Sequence, residues 1–372
     1  MNDPRYQIED TREIFTPALL VFRELLEQNL DSMIRIAGRP DRLRPHCKTH
    51  KIAEITRRQL AKGIAKHKCA TLAEAEMLAR AGVSDIFLAY NLVGPNIPRA
   101  VRLLQAYPDV RLAVTADHPQ PVAVLGQSLQ DAGLSVDVLL DIDTGMHRTG
   151  MEVGPDALAL YRQIAVTPGL RPGGLHVYDG QNHQTDLAER RAAVHAGWQR
   201  VVPFRDQLLS EALPVPRIVA GGTGTFPVYA EINDPALELS PGTPVFYDAG
   251  YTAAFPDLPF QVAAMLLTRV ISRPGPDRLT VDLGTKACAS DPPAGRRLVF
   301  PDLPDAEQVR QNEEHLMLKT PHAEQYQPGD ELLAIPWHIC PTTALHKQVC
   351  VISAGRLVAR WDVAARDRWL TV

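Results

Sequence analysis

Reactive side chains gather in a few short motifs. RPHCKTHK (44–51) brings His46, Lys48, His50 and Lys51 directly after a strand-like run. Lys68 closes a second such run. DIDTGMHRTG (141–150) carries Asp141, Asp143, His147 and Arg148, and LHVYDGQNH (175–183) carries His176, Tyr178, Asp179 and His183. AGGTGTF (220–226) puts glycines and threonines after another strand, where backbone N–H groups and the Thr223 and Thr225 hydroxyls can turn toward an anion. Two readings compete at each motif. The glycine-rich segment is either a plain turn or an anion cradle. Lys48 is either a solvated loop lysine or an amine held for chemistry. Lys51 rivals it but lies further into the loop, toward the next helix.

A lysine, a phosphate cradle and a cation able to reach a ring are the three requirements of pyridoxal phosphate, an aldehyde that lysine captures covalently. Lys48, the Gly-Gly-Thr-Gly-Thr turn and Arg148 supply them.

These motifs need a frame that brings strand ends together. Eight apolar runs alternate with helical patterns: 18–22, 42–47, 63–68, 85–90, 111–115, 136–142, 173–178 and 216–221. Ile52, Ile55 and Leu60 have helical spacing and Gly63 is a stop; Thr71 and Glu74 form a capping box before a helix ending at Gly82. The longest helical stretch, from Asp186, is expected to break near Pro203. The alternation predicts a (β/α)8 TIM-type barrel, whose chemistry lies at the C-terminal strand ends. An open doubly wound sheet is the competitor, and the absence of G-x-G-x-x-G after the first strand weakens it. Beyond residue 240 prolines, glycines and alternating runs predict a mainly β C-terminal domain. The expected division is a barrel over 15–240 and a β domain over 241–372, with residues 1–14 joining the latter.

The chain has 372 residues, a net charge of -4 and 45% hydrophobic residues, which offers no nucleic-acid surface. Its first residues have no basic and apolar signal pattern, and no apolar run is long enough to span a bilayer. The expectation is a cytoplasmic protein without membrane partners. Five cysteines, widely spaced and odd in number, predict buried thiols rather than disulfides.

Taken in order, RPHCKTHK, DIDTGMHRTG, LHVYDGQNH, AGGTGTFPVY, LSPGTPVFYD, VDLGTKACASD and PWHICPTT resemble the D-threonine aldolase and D-serine dehydratase group. These are alanine-racemase-type (fold type III) pyridoxal phosphate enzymes. The resemblance spans roughly 14–350. It implies an alanine racemase-like barrel with a following β domain. It also implies a head-to-tail homodimer in which the partner's second domain closes each site. Lys48 matches the Schiff-base lysine and Arg148 the arginine near the ring hydroxyl. Gly222, Thr223 and Gly224 match the phosphate loop, Tyr178 lies beside the ring, and Tyr247 lies near the phosphate. His338 and Cys340 match the metal pair. Residues i and i+2 of an extended segment face the same way, so imidazole and thiolate can share one cation. Zinc suits that donor set better than manganese or magnesium.

The resemblance implies a small-molecule substrate, a β-hydroxy-D-amino acid. Aldol cleavage yields glycine and an aldehyde, with His183 the candidate base for the β-hydroxyl proton. Dehydration, on D-serine or D-threo-3-hydroxyaspartate, yields a 2-oxoacid and ammonia, with Lys48 taking the Cα proton. The chain as a whole is aldolase-like. Yet aldolases typically carry aspartate where this chain has Cys340, and the H-x-C form is dehydratase-like. A racemase and a non-catalytic cofactor carrier are further alternatives. The first has no use for a metal pair, and the second lacks a β domain.

Overall fold

The computed structural model describes residues 3–372. In chain order, β1 (Ala18–Phe22) and α1 (Arg23–Ala37) are followed by α2 (Ala53–Ala61), β2 (Lys66–Cys69), α3 (Leu72–Arg80), β3 (Asp85–Asn91) and α4 (Asn96–Ala106). Next come β4 (Arg111–Ala116), α5 (Pro119–Asp131), β5 (Val136–Asp141), α6 (Pro155–Val166), β6 (Leu170–Val177) and α7 (Leu187–Ser210). The region ends with β7 (Ile218–Ala220), α8 (Phe226–Ala230) and β8 (Leu237–Leu239). The chain forms two compact units. One comprises Met33–Lys48, Ala53–Gly242 and Asp367–Val372; the other comprises the described residues up to Ser32, Thr49–Ile52 and Thr243–Arg366.

In the first unit, β2 to β8 pair in chain order as a parallel sheet. The extended segment 43–46 joins its two edges. Leu43 pairs with Leu239 in β8 and His46 with Lys68 in β2. The Arg44 N–H donates to the Leu239 carbonyl at 2.8 Å, and the Lys68 N–H to the Pro45 carbonyl at 2.9 Å. Pro45 has no N–H to offer, which keeps this eighth edge irregular. Phe87, Ala113, Leu139 and Val219 fill the interior with fully buried side chains.

Two expectations need correction here. The run 18–22 is not a barrel strand, and the expected eight omitted β8. β1 is buried along its whole length, and an apolar run before a helix looks the same whichever sheet it joins. β8 has three residues, too few for a periodic signal. A third correction concerns Pro203, which lies inside an uninterrupted 24-residue α7.

The second unit is a mixed nine-stranded sheet. It contains β9 (Ala264–Gly275), β10 (Arg278–Val281), β11 (Leu298–Val299), β12 (Glu307–Gln311) and β13 (Leu316–Lys319). It continues with β14 (Glu331–Pro336), β15 (Gln348–Ser353) and β16 (Arg356–Asp362), with the helices α9 (Ala249–Ala254) and α10 (Ile339–Leu345). β1 lies between β9, antiparallel with Leu20 opposite Met265, and β15, parallel with Leu20 opposite Cys350. The β15–β16 hairpin turns on Ala354 and Gly355, both with positive φ (46° and 75°), as a two-residue turn of this hand requires. All five cysteines are free. Among the described residues no helix is long and apolar enough to cross a membrane.

Candidate active site

The first unit holds a cavity of about 580 Å³ where the barrel strands end, walled by Lys48, Lys68, Asp141, Arg148, His176 and Tyr178 among others. Lys48 follows the irregular edge segment in a single 3-10 turn, Cys47–Thr49. His46 fixes that turn: its Nδ1 accepts the Lys48 N–H at 3.2 Å. Lys51 has φ 56°, lies outside the cavity wall, and accepts the Ala365 N–H on its carbonyl within the second unit. His50 accepts the Ile52 N–H in the second unit, and His67 bonds Gln59 in the buried interior of the first.

Three cations surround one ring. Lys48 Nζ is 6.0 Å from the Tyr178 ring centre, Lys68 Nζ 5.7 Å and Arg148 Cζ 5.0 Å. Lys68 is 3% exposed. Burial, reinforced by the charge on Lys48, pulls its pKa down to about 7.

Asp141 and Asp143 each hold a histidine. Register between β5 and β6 sets Asp141 opposite His176, and His176 Nδ1 meets Asp141 Oδ1 at 2.7 Å. Burial opposes ionisation of Asp141, but His176 outweighs it and holds the carboxyl low. Burial keeps His176 below its ordinary pKa. His176 Nε2 has no hydrogen-bond partner among the described residues. Asp143 instead accepts the Gly145 and His147 backbone N–H groups and the His147 ring.

The glycine–threonine turn packs against the cavity. A Cβ at Gly222 would meet Tyr178 Cε2 at 3.3 Å, so glycine lets the backbone approach the ring closely. Gly222 N–H donates to Thr225 Oγ1, which donates on to Asp179 Oδ1 at 2.8 Å. Thr223 is buried, and its hydroxyl accepts the Gly242 N–H. His183 is exposed in the loop after β6 and is not part of the cavity wall.

Tyr247, His338 and Cys340 belong to the second unit. Tyr247 is buried there, with its hydroxyl directed at the Tyr251 and Phe255 carbonyls, 3.2 Å from each. His338 and Cys340 do not share an extended segment. His338 is the extended N-cap residue of α10 and Cys340 lies in its first turn. The two side chains still meet. Burial disfavours the imidazolium, but hydrogen bonding to the Cys340 thiol and then to Asp291 outweighs it and raises the His338 pKa to about 9. His338 Nδ1 is 2.5 Å from Asp291 Oδ2, and Cys340 Sγ is 3.2 Å from Thr49 Oγ1 and 3.6 Å from Thr243 Oγ1. Beneath them, fully buried Asp248 accepts the Ile339 N–H at 2.9 Å and the Tyr251 N–H at 2.8 Å. Burial lifts its pKa to about 6.

Both donor sets fit the groups that the sequence suggests. The cavity offers an amine, an aromatic wall and excess positive charge to an anionic aldehyde. The pair on α10 offers imidazole nitrogen and thiol sulfur, with a carboxylate behind the imidazole.

Comparison with known proteins gives the family of the chain. The family described as alanine racemase, N-terminal domain, matches residues 23–247, and the putative serine dehydratase domain matches 263–352. D-threonine aldolase of Arthrobacter sp is 32% identical over 94% of this chain and 92% of its own. The crystal structure of D-threonine aldolase from Filomicrobium marinum superposes with a TM-score of 0.88 at 30% identity, covering 95% of this chain and 96% of that one. The D-threo-3-hydroxyaspartate dehydratase from Delftia sp. HT23 gives a TM-score of 0.81 at 25% identity, over 94% and 97%. A cysteine-to-alanine mutant of a D-threo-3-hydroxyaspartate dehydratase has been solved in a metal-free form. The chain belongs to the D-threonine aldolase and D-serine dehydratase-like family, alanine-racemase-type (fold type III) pyridoxal phosphate-dependent lyases.

Proposed function

We propose that this chain is a pyridoxal phosphate- and divalent metal-dependent lyase that cleaves β-hydroxy-D-amino acids by the D-threonine aldolase route, releasing glycine and an aldehyde. One observation carries the reading: the Lys48 amine and the Arg148 guanidinium share a cavity with the Tyr178 ring, at the strand ends where barrels of this kind do chemistry. When bound, the cofactor supplies an electron sink for charge at Cα, and the metal lowers the pKa of the β-hydroxyl.

The chain's own residues do the rest. Lys48 holds the cofactor covalently. Arg148 holds the ring hydroxyl, Tyr178 packs against the ring, and Gly222, Thr223 and Gly224 cradle the phosphate with Tyr247 close by. His338 and Cys340 ligate the metal, with zinc the best match to nitrogen and sulfur. Asp291 orients the His338 ring through Nδ1, leaving Nε2 for the cation. His183, exposed in the loop after β6, is the base for the β-hydroxyl proton in this reading. The protein acts as a homodimer in the cytoplasm.

Cys340 favours a second reading, dehydration to a 2-oxoacid and ammonia, because the thiol ligand is the dehydratase form of the motif. A product assay separates the two. With D-threonine and D-threo-3-hydroxyaspartate as substrates, the first reading expects glycine plus aldehyde, abolished by chelator and restored by zinc or manganese. Ammonia and a 2-oxoacid in its place would establish the second, and an L-enantiomer would overturn both.

A further inference from the structure

We infer that Lys68 is a second cofactor-directed amine, the counter-charge for the anionic group that Lys48 captures. This rests on the functional reading above and extends it to a residue which that reading leaves idle.

Lys68 is the third residue of β2, paired with Phe87 of β3 on one side and bridged to His46 on the other. That register brings its side chain into the cavity that Lys48 enters. It is 3% exposed; among the described residues its side chain makes no hydrogen bond or ion pair, and its Nζ lies 5.7 Å from the centre of the Tyr178 ring. An ammonium removed from water without a carboxylate is costly, so a buried lysine normally has a partner or loses its proton. The charged and titratable groups facing it are Lys48 and Arg148, which repel it, and Asp141 and Asp179, which attract it. His176 faces it as well. Neither carboxylate forms an ion pair with it. Asp141 is bonded to His176, and Asp179 to Thr225 and Asn182. The cavity therefore carries more positive than available negative charge, and an anionic ligand restores the balance. Burial, with the charge on Lys48, pulls the Lys68 pKa to about 7, and a nearby negative charge would favour the protonated amine.

The test compares Lys68→Met, which keeps the bulk and removes the charge, with Lys68→Arg, which keeps the charge. Pyridoxal phosphate is titrated into apoprotein and followed by visible absorbance, with pyridoxal as the phosphate-free arm. Wild type is expected to bind with a spectrum that borohydride fixes on Lys48. In Lys68→Met the cofactor Kd should rise by roughly ten- to a hundredfold, the spectrum should change its pH dependence, and Lys68→Arg should recover most of the affinity. A second readout excludes a merely structural role. Apo Lys68→Met should melt no lower than apo wild type, because an amine whose charge burial disfavours has been removed, while its stabilisation by cofactor should shrink.

If the Lys68→Met Kd, spectrum and cofactor-induced stabilisation match wild type, the inference fails. It also fails if only the KM for a substrate with a side-chain carboxylate rises, since the amine then serves substrate. A drop in apo stability without loss of affinity assigns Lys68 to packing and overturns it. If wild type takes up no pyridoxal phosphate, the functional reading itself is wrong, and that outcome is visible before any Lys68 variant is made.

Discussion

The two ends of the barrel strands handle charge in opposite ways. At the starts, cations and carboxylates are interleaved. Fully buried Arg44 bonds Glu238 and Asp85, and Glu238 also takes Lys66 at 2.8 Å. Asp85 takes Arg111, and Asp137 is shared by Arg171 and Arg217. At the other end, Lys48, Lys68 and Arg148 surround Tyr178, while Asp141 and Asp179 are occupied elsewhere. Charge satisfied within the fold serves stability. Charge left over within a cavity is set aside for a ligand, and barrels of this type put chemistry at that end.

Substitutions at the two ends should separate activity from stability. The largest effect belongs to Lys48→Ala, which should lower kcat/KM by about a thousandfold or more while leaving the melting temperature of the apoprotein nearly unchanged. Parallel steady-state kinetics and calorimetry check this. In the second unit, Asp291→Ala should weaken zinc affinity by roughly ten- to a hundredfold, read by competition with a chromophoric chelator, with Asp291→Asn less affected. At the strand starts, Glu238→Ala leaves buried Arg44 with Asp85 alone and takes the carboxylate from Lys66. It should cost about 3–5 kcal/mol by denaturant unfolding and leave kcat per folded molecule unchanged. A loss of kcat there without a loss of stability would dissolve the contrast between the two ends.

The smallest effect is in pH dependence. The Lys68 pKa falls from 10.5 to about 7 on folding. Between those values the unfolded chain binds the extra proton, so this group makes the apoprotein more stable as pH rises through the window. The stability advantage of apo Lys68→Met over wild type should therefore shrink from neutral toward alkaline pH. An advantage that grows with pH would contradict the assignment.

Much of the cavity was legible in the sequence because its chemistry is compressed into short motifs at strand ends. Lys48, Arg148 and Tyr178 were each visible in their own segment and meet at one ring. The unreadable part depends on register. Asp141 meets His176 across 35 positions because β5 and β6 align them, and Asp291 meets His338 across 47. Lys68 stood at a strand end in the sequence, but its burial became visible only with the ring closed around it. The same limit sent β1 to the wrong sheet: five apolar residues report burial and not the identity of their neighbours. His338 and Cys340 were paired through a strand geometry, whereas a helix N-terminus brings them together.

Borohydride reduction of the protein loaded with pyridoxal phosphate, followed by peptide mass mapping, is the most direct test of the central claim. The account predicts one modified lysine per chain, at position 48, and no modification in Lys48→Ala. A phosphopyridoxyl group found on Lys68 or Lys51, or on no lysine at all, would contradict it.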